Sequence, residues 1–159
     1  MYFHNAGAAY QNLFLLSDGP EDSPLELGFQ HLDAYEENFP ADSARAFAQL
    51  YRGLLLGHEN RMDSAVACVK DAYAISQRAG LPLLAFDAQL QLAAFQIKEG
   101  KTAEPIRAYL AAYDAVKDMD SSQTDRKIWV MNLLASAYSI TNNHRTAMDW
   151  LQRCYPGGR

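Results

Sequence analysis

Valine, isoleucine and threonine together supply only 13 of the 159 residues, whereas alanine and leucine supply 44. Pleated sheets select β-branched side chains, so this shortage argues against a β-rich fold. No run of 18 or more apolar residues occurs, which excludes a membrane-spanning helix read from sequence. The two cysteines, Cys68 and Cys154, stand far apart without a CxxC partner. They give neither a disulfide framework nor a zinc site, and buried reduced thiols point to the cytoplasm. The opening MYFHNAGAAYQNLFLL is apolar but has no basic n-region, and its alanines precede its most apolar part, the reverse of a secretion signal. A signal removed beforehand would leave a periplasmic location open. Lysine and arginine are missing from residues 1–44, which hold eight carboxylates, and all 14 basic residues lie beyond them. With a net charge of −5 and no basic run, nucleic acid is not the expected partner.

What the chain does have is 49% hydrophobic residues punctuated at short intervals by turn formers. That excludes a disordered chain, and the length suits one domain with a substantial core. Period and punctuation predict about eight helices. The first covers 4–16 and closes at Ser17-Asp18-Gly19-Pro20. The second opens on Ser23, Pro24 and Glu26, a hydroxyl N-cap, a proline at N1 and a capping-box acid, and stops at Phe39-Pro40. The third, 42–57, is expected to end near Gly57. The fourth, 61–79, starts behind Asn60 and ends at Gly80. The fifth runs from Leu81-Pro82 to Gly100, and the sixth starts behind Thr102 with Pro105 in its first turn. A polar loop at 118–122 leads to the seventh, 123–140. Asn142-Asn143 separates it from the eighth, which stops at Tyr155-Pro156-Gly157. Connectors this short predict antiparallel hairpins, approximately 4–39, 42–80, 82–118 and 123–155.

The hairpins repeat. Ala65, Val69 and Ala72 align with Pro105, Tyr109 and Ala112, and with Ala147, Leu151 and Cys154, each set on one helix face. Gly28, Leu32 and Tyr35 fit the same frame. Twelve residues before the last three anchors stand Gly53, Ala93 and Ala135, followed at the third position by Leu56, Gln96 and Tyr138. A small residue facing a small residue lets two helix backbones approach closely. This pattern resembles the tetratricopeptide repeat, most closely at Leu134-Ala135-x-x-Tyr138 with Ala147, Leu151 and Cys154. Departures are Gln49, Gln89 and Met131 at the family's early tryptophan position, Pro105 at a small-residue position, and anchor spacings of 37, 40 and 42 residues. The long spacing is similar to that of degenerate repeats in bacterial signalling and regulatory proteins, including sensor regions ahead of diguanylate cyclase domains.

The resemblance implies an all-α, right-handed superhelix of about four antiparallel hairpins, a single domain that is part of a longer protein. It also implies a non-enzymatic module that binds a protein or peptide in a concave groove. Carried over residue by residue, the groove positions are Phe47, Leu50, Leu54 and His58, then Asp87, Leu90, Ala94 and Lys98, then Trp129, Asn132, Ser136 and Ile140. Trp129 offers a large rigid contact area, and Asn132 offers an amide donor and acceptor together. The competing reading is that Phe47, Leu50 and Leu54 are an ordinary core stripe. A carboxylate clamp is not expected, because Leu50, Leu54, Leu90 and Ala94 occupy its sites.

Catalytic constellations are missing. No two of His4, His31, His58 and His144 share metal-ligand spacing, and His58-Glu59-Asn60-Arg61-Met62 lacks the second histidine of a zinc-protease helix. No GxSxG, Walker A or GxGxxG string occurs. Adjacent carboxylates such as Glu36-Glu37 point about 100° apart on a helix and cannot flank one bond. The expectation is therefore no enzyme, no metal and no cofactor. Met148, Trp150, Leu151, Cys154 and Tyr155 make the last helix apolar on more than one side. An uncapped final hairpin of this kind predicts a natural chain that continues past Arg159, or a homodimer contact. The alternatives to a signalling module are a receptor for a small signalling peptide and a purely structural oligomerisation unit.

Overall fold

A computed structural model describes residues 24–157. They form seven α-helices and no strand: α1 (Pro24–Asn38), α2 (Asp42–His58), α3 (Met62–Arg78), α4 (Pro82–Lys98), α5 (Glu104–Val116), α6 (Thr124–Ile140) and α7 (His144–Cys154). The helix expected at 4–16 and the Ser23 cap lie outside the described residues. The described residues divide into two compact units, on either side of the Leu84–Ala85 bond. In the first, α1 packs on α2 and α2 on α3; in the second, α5 packs on α6 and α6 on α7. The all-α architecture, with these helices packed on their sequence neighbours, is as the period predicts.

Four connectors share one physical device. Asn60, Gly80, Gly100 and Asn142 all have positive φ, between 58° and 80°. Each is followed by a residue whose N–H reaches back five positions: Arg61 to Leu56 O, Leu81 to Ser76 O, Lys101 to Gln96 O and Asn143 to Tyr138 O. This is the Schellman ending, which satisfies carbonyls that the helix itself cannot. Glycine and asparagine occupy these positions because other side chains strain there. Two readings of the sequence are corrected. Asn60 does not start α3; it ends α2, and α3 begins behind Arg61 without a side-chain cap. Likewise Thr102 is not the cap of α5, which begins behind Ala103 with no side-chain hydrogen bond. The end of α2 near Gly57 is as expected: the helix stops at His58, with Gly57 buried in its last turn.

The loop after α5 is tighter than a polar linker. Asp120 accepts a hydrogen bond from Ser122 N at 2.9 Å and caps a 3-10 turn, Ser121–Gln123, that runs into α6. Lys127 Nζ donates back to Met119 O. Asn143 Oδ1 accepts from Thr146 N at 3.4 Å and caps α7.

Small-on-small packing builds the first unit. Gly53 faces α3 so closely that a Cβ there would stand 2.6 Å from Val69 Cγ2 and 3.0 Å from Ala65 O. Ala65, Val69 and Ala72 are fully buried, with Leu54, Leu55 and Leu56 opposite. Of the equivalent residues of the second unit, Ala93, Pro105, Tyr109, Ala112, Ala135, Ala147 and Cys154 are buried, and Leu151 is half-buried. Trp150 is also buried, edge-on to Tyr113 at 5.0 Å with Arg153 over its ring. The exposed residues of α7 include His144, Arg145, Asp149, Gln152 and Arg153. This corrects the expectation of an apolar last helix: α7 turns a polar side outward, and its exposed apolar residue is Met148, with Tyr155 exposed just past its end.

Candidate functional site

The twelve groove positions do not share one fate. On α2, Leu50 and Leu54 are buried, so the core reading of that stripe holds for them. Phe47 is half-buried among Tyr35 and Tyr51, at ring distances of 5.4 Å and 4.3 Å, and His58 is exposed on the last helical residue. Beside them Arg52 joins α1 to α2, donating to Asp33 at 2.5 Å and to Glu36. Burial works against its charge, yet these two carboxylates hold the guanidinium pKa above its ordinary value. Gln49 Nε2 donates to Asp71 across to α3 at 2.6 Å. Both are structural ties between helices.

The second unit carries the accessible set. On α4, Leu90 is buried and Lys98 exposed, while Asp87 is only 5% exposed. No hydrogen bond or ion pair to the Asp87 carboxylate exists among the described residues. Burial pushes its pKa up to about 6, and the positive charge of Arg126 on α6 opposes that rise only in part. On α6, Trp129 is 47% exposed, with its ring 6.3 Å from fully buried Phe86 in an edge-to-face contact. Asn132 is half-buried, and its Nδ2 donates to Ile128 O at 3.1 Å and to Tyr155 Oη at 3.3 Å. Its donor is thus engaged, which leaves its carbonyl as the group able to meet a ligand. Ser136 is exposed and Ile140 is 69% exposed. At positions i, i+3, i+7 and i+11 these four form one solvent-facing stripe of α6.

No protein-family model matches this chain, and no curated protein matches it either.

Next to the α6 stripe the second unit contains a cleft of about 330 Å³. Its walls are Ile97 at the end of α4, the tip residues Gly100, Lys101 and Thr102, Pro105 and Tyr109 of α5, and Leu133, Ser136, Ala137 and Ile140 of α6. Of the twelve groove positions, Ser136 and Ile140 alone reach it. Sequence reasoning missed the others because they come from three helices, and only the fold brings them together. Ile97 and Ile140 were the available signal: two isoleucines at helix ends, each more than half exposed.

Among the described residues no group of three His, Cys, Asp or Glu side chains could hold a metal ion, and no helix is long and apolar enough to cross a membrane. Burial raises the pKa of the Cys68 thiol, which lowers its thiolate fraction.

Proposed function

We propose that this chain is a non-enzymatic, tetratricopeptide-like interaction module that takes a peptide or partner segment on the α4–α6 side of its second unit. The observation that carries this reading is the stripe Trp129, Asn132, Ser136 and Ile140. A half-exposed indole seated on the core and an exposed isoleucine on one helix face are costly to leave in water, and they are what a partner covers. The repeat anchors and the recurring helix endings support stacked hairpins, with the right-handed superhelix of the resembled family. In a longer bacterial signalling protein, occupancy of this face would shift the arrangement of hairpins and so an output domain, since ligands act by favouring one of several pre-existing arrangements.

Screening a peptide array with the full chain, then measuring the best peptide by fluorescence polarisation, tests the assignment. Trp129→Ala is expected to weaken binding by about tenfold or more, in line with truncation of an aromatic anchor. Asn132→Ala should weaken it less, because its donor is already engaged. Peptide binding that ignores both substitutions removes this face from the function.

A further inference from the structure

The cleft of the second unit combines aliphatic walls with uncharged hydroxyl groups. Its floor is Pro105, Tyr109 and Ala137, all buried, and its rims are Ile97 and Ile140, 52% and 69% exposed. A volume of about 330 Å³ lies at the lower end of the range that small-molecule sites occupy. Water in such a space finds few polar partners, so a hydrocarbon chain displaces it favourably.

Tyr109 decides what that chain must carry. The residue is 6% exposed, and its hydroxyl has no hydrogen-bond partner among the described residues. Nor is the hydroxyl sealed inside the protein. The buried side-chain atom that lacks a partner among the described residues is Gln96 Oε1, so the Tyr109 oxygen reaches open space, and the cleft is the space that Tyr109 lines. Burial raises its pKa, which keeps it a protonated donor. Ser136, on the α6 wall, likewise makes no hydrogen bond among the described residues. Lys101 is the single charged residue of the lining, and its ammonium is held by Glu99 at 2.9 Å. A charged ligand head would lose its hydration here with no free opposite charge in the lining to replace it. A neutral carbonyl needs only a hydroxyl donor.

We infer that this cleft binds a neutral medium-chain acyl compound, an ester, ketone or amide, its alkyl chain between Ile97, Leu133 and Ile140 and its carbonyl oxygen accepting from the Tyr109 hydroxyl. This goes beyond the peptide-binding reading and does not rest on it. The two share the exposed Ser136 and Ile140, but Trp129 and Asn132 take no part here, and Tyr109 takes no part there.

Isothermal titration of the full 159-residue chain at neutral pH with methyl octanoate, octanoate and octylamine, all below their micelle-forming concentrations, tests the site. The three carry similar alkyl chains and differ in the charge of the head. Methyl octanoate is expected to bind best, and affinity should rise about two- to fourfold for each methylene from methyl butanoate to methyl octanoate, as expected for apolar burial. Tyr109→Phe keeps the ring and removes only a hydroxyl that has no partner in the described protein, so the fold should survive, as circular dichroism would verify. It should weaken methyl octanoate by about three- to tenfold, the worth of one hydrogen bond, and leave the increment per methylene unchanged. Ser136→Phe, at an exposed position, fills the cleft and should abolish binding in folded protein. Trp129→Ala should leave methyl octanoate affinity intact even where it destroys peptide binding, which separates the two assignments. The inference is overturned by octanoate or octylamine binding as tightly as the ester, by ester affinity that Tyr109→Phe does not move, or by ester binding that survives Ser136→Phe. The absence of any saturable ester binding overturns it as well.

Discussion

Two side chains concentrate the tension in this molecule, Asp87 and Gln96. The Gln96 Oε1 atom is buried without a hydrogen-bond partner, at a position where the parallel hairpins carry Leu56 and Tyr138. Asp87 is a carboxylate at 5% exposure whose pKa burial raises to about 6, from an ordinary value of 3.8. A folded-state pKa above the unfolded one means that the protonated form suits the native state. Its contribution is fully favourable below pH 3.8 and is lost as pH rises through about 6. Asp87→Asn, which stays neutral throughout, should therefore be more stable than the parent at pH 8, by up to about 3 kcal/mol. Near pH 4 the two should be nearly equal. Urea unfolding at both pH values measures the difference, and an Asn variant less stable at pH 8 would show that the charge is compensated. Asp87 was named from the sequence as a groove position, but its burial was not legible there, because burial depends on neighbours from other helices.

At the level of the element, helix ends were easier to find than to assign. Gly80 and Gly100 were recognised as terminators because glycine tolerates the left-handed backbone that a Schellman ending needs. Asn60 is ambiguous in sequence, since asparagine serves equally as an N-cap and as a left-handed residue. The structure separates the two by the bond from Arg61 N to Leu56 O. A substitution series follows from this. Gly80→Val should destabilise by about 1–2 kcal/mol, the cost of a branched side chain at positive φ. A Cβ there meets nothing within 4 Å, so the penalty is conformational and not steric crowding. Asn60→Gly should be neutral or slightly stabilising. Thermal melts decide the point: a Gly80→Val protein as stable as the parent would mean that this ending is not held in the left-handed region.

Over the whole chain, the charge asymmetry acquires local content. Of the eight acidic groups before residue 45, Asp33 and Glu36 are gathered by Arg52, and Asp42 lies within 3.6 Å of Arg45. These pairs neutralise part of the acidic end at its own surface. At the other end Trp150 and Cys154 are buried and the outer side of α7 is polar, so the apolar contact area expected for a homodimer is reduced to Met148 and Tyr155. Two isolated exposed apolar residues fall well short of the roughly 800 Å² per partner that stable interfaces bury. The chain is accordingly expected to sediment as a monomer at moderate salt. A concentration-dependent dimer that Met148→Gln or Tyr155→Ser disperses would show that this end does form an interface.

Composition alone dictated helices here, because a chain rich in alanine and leucine and poor in β-branched residues has little to gain from a sheet. Periodicity added the hairpins and the small-residue anchors, since the i, i+4 and i+7 positions of one helix face are fixed by local geometry whatever surrounds them. Gly53 opposite Ala65 and Val69 is that inference realised: a Cβ there would stand 2.6 Å from Val69 Cγ2. Which of those faces water was decided only by tertiary packing. Leu50 and Trp129 are both groove positions of their helices, yet one is 2% exposed and the other 47%. The cleft lined by Ile97, Tyr109 and Ile140 has no counterpart in any local pattern, because its walls are distant in sequence and meet only when three helices pack.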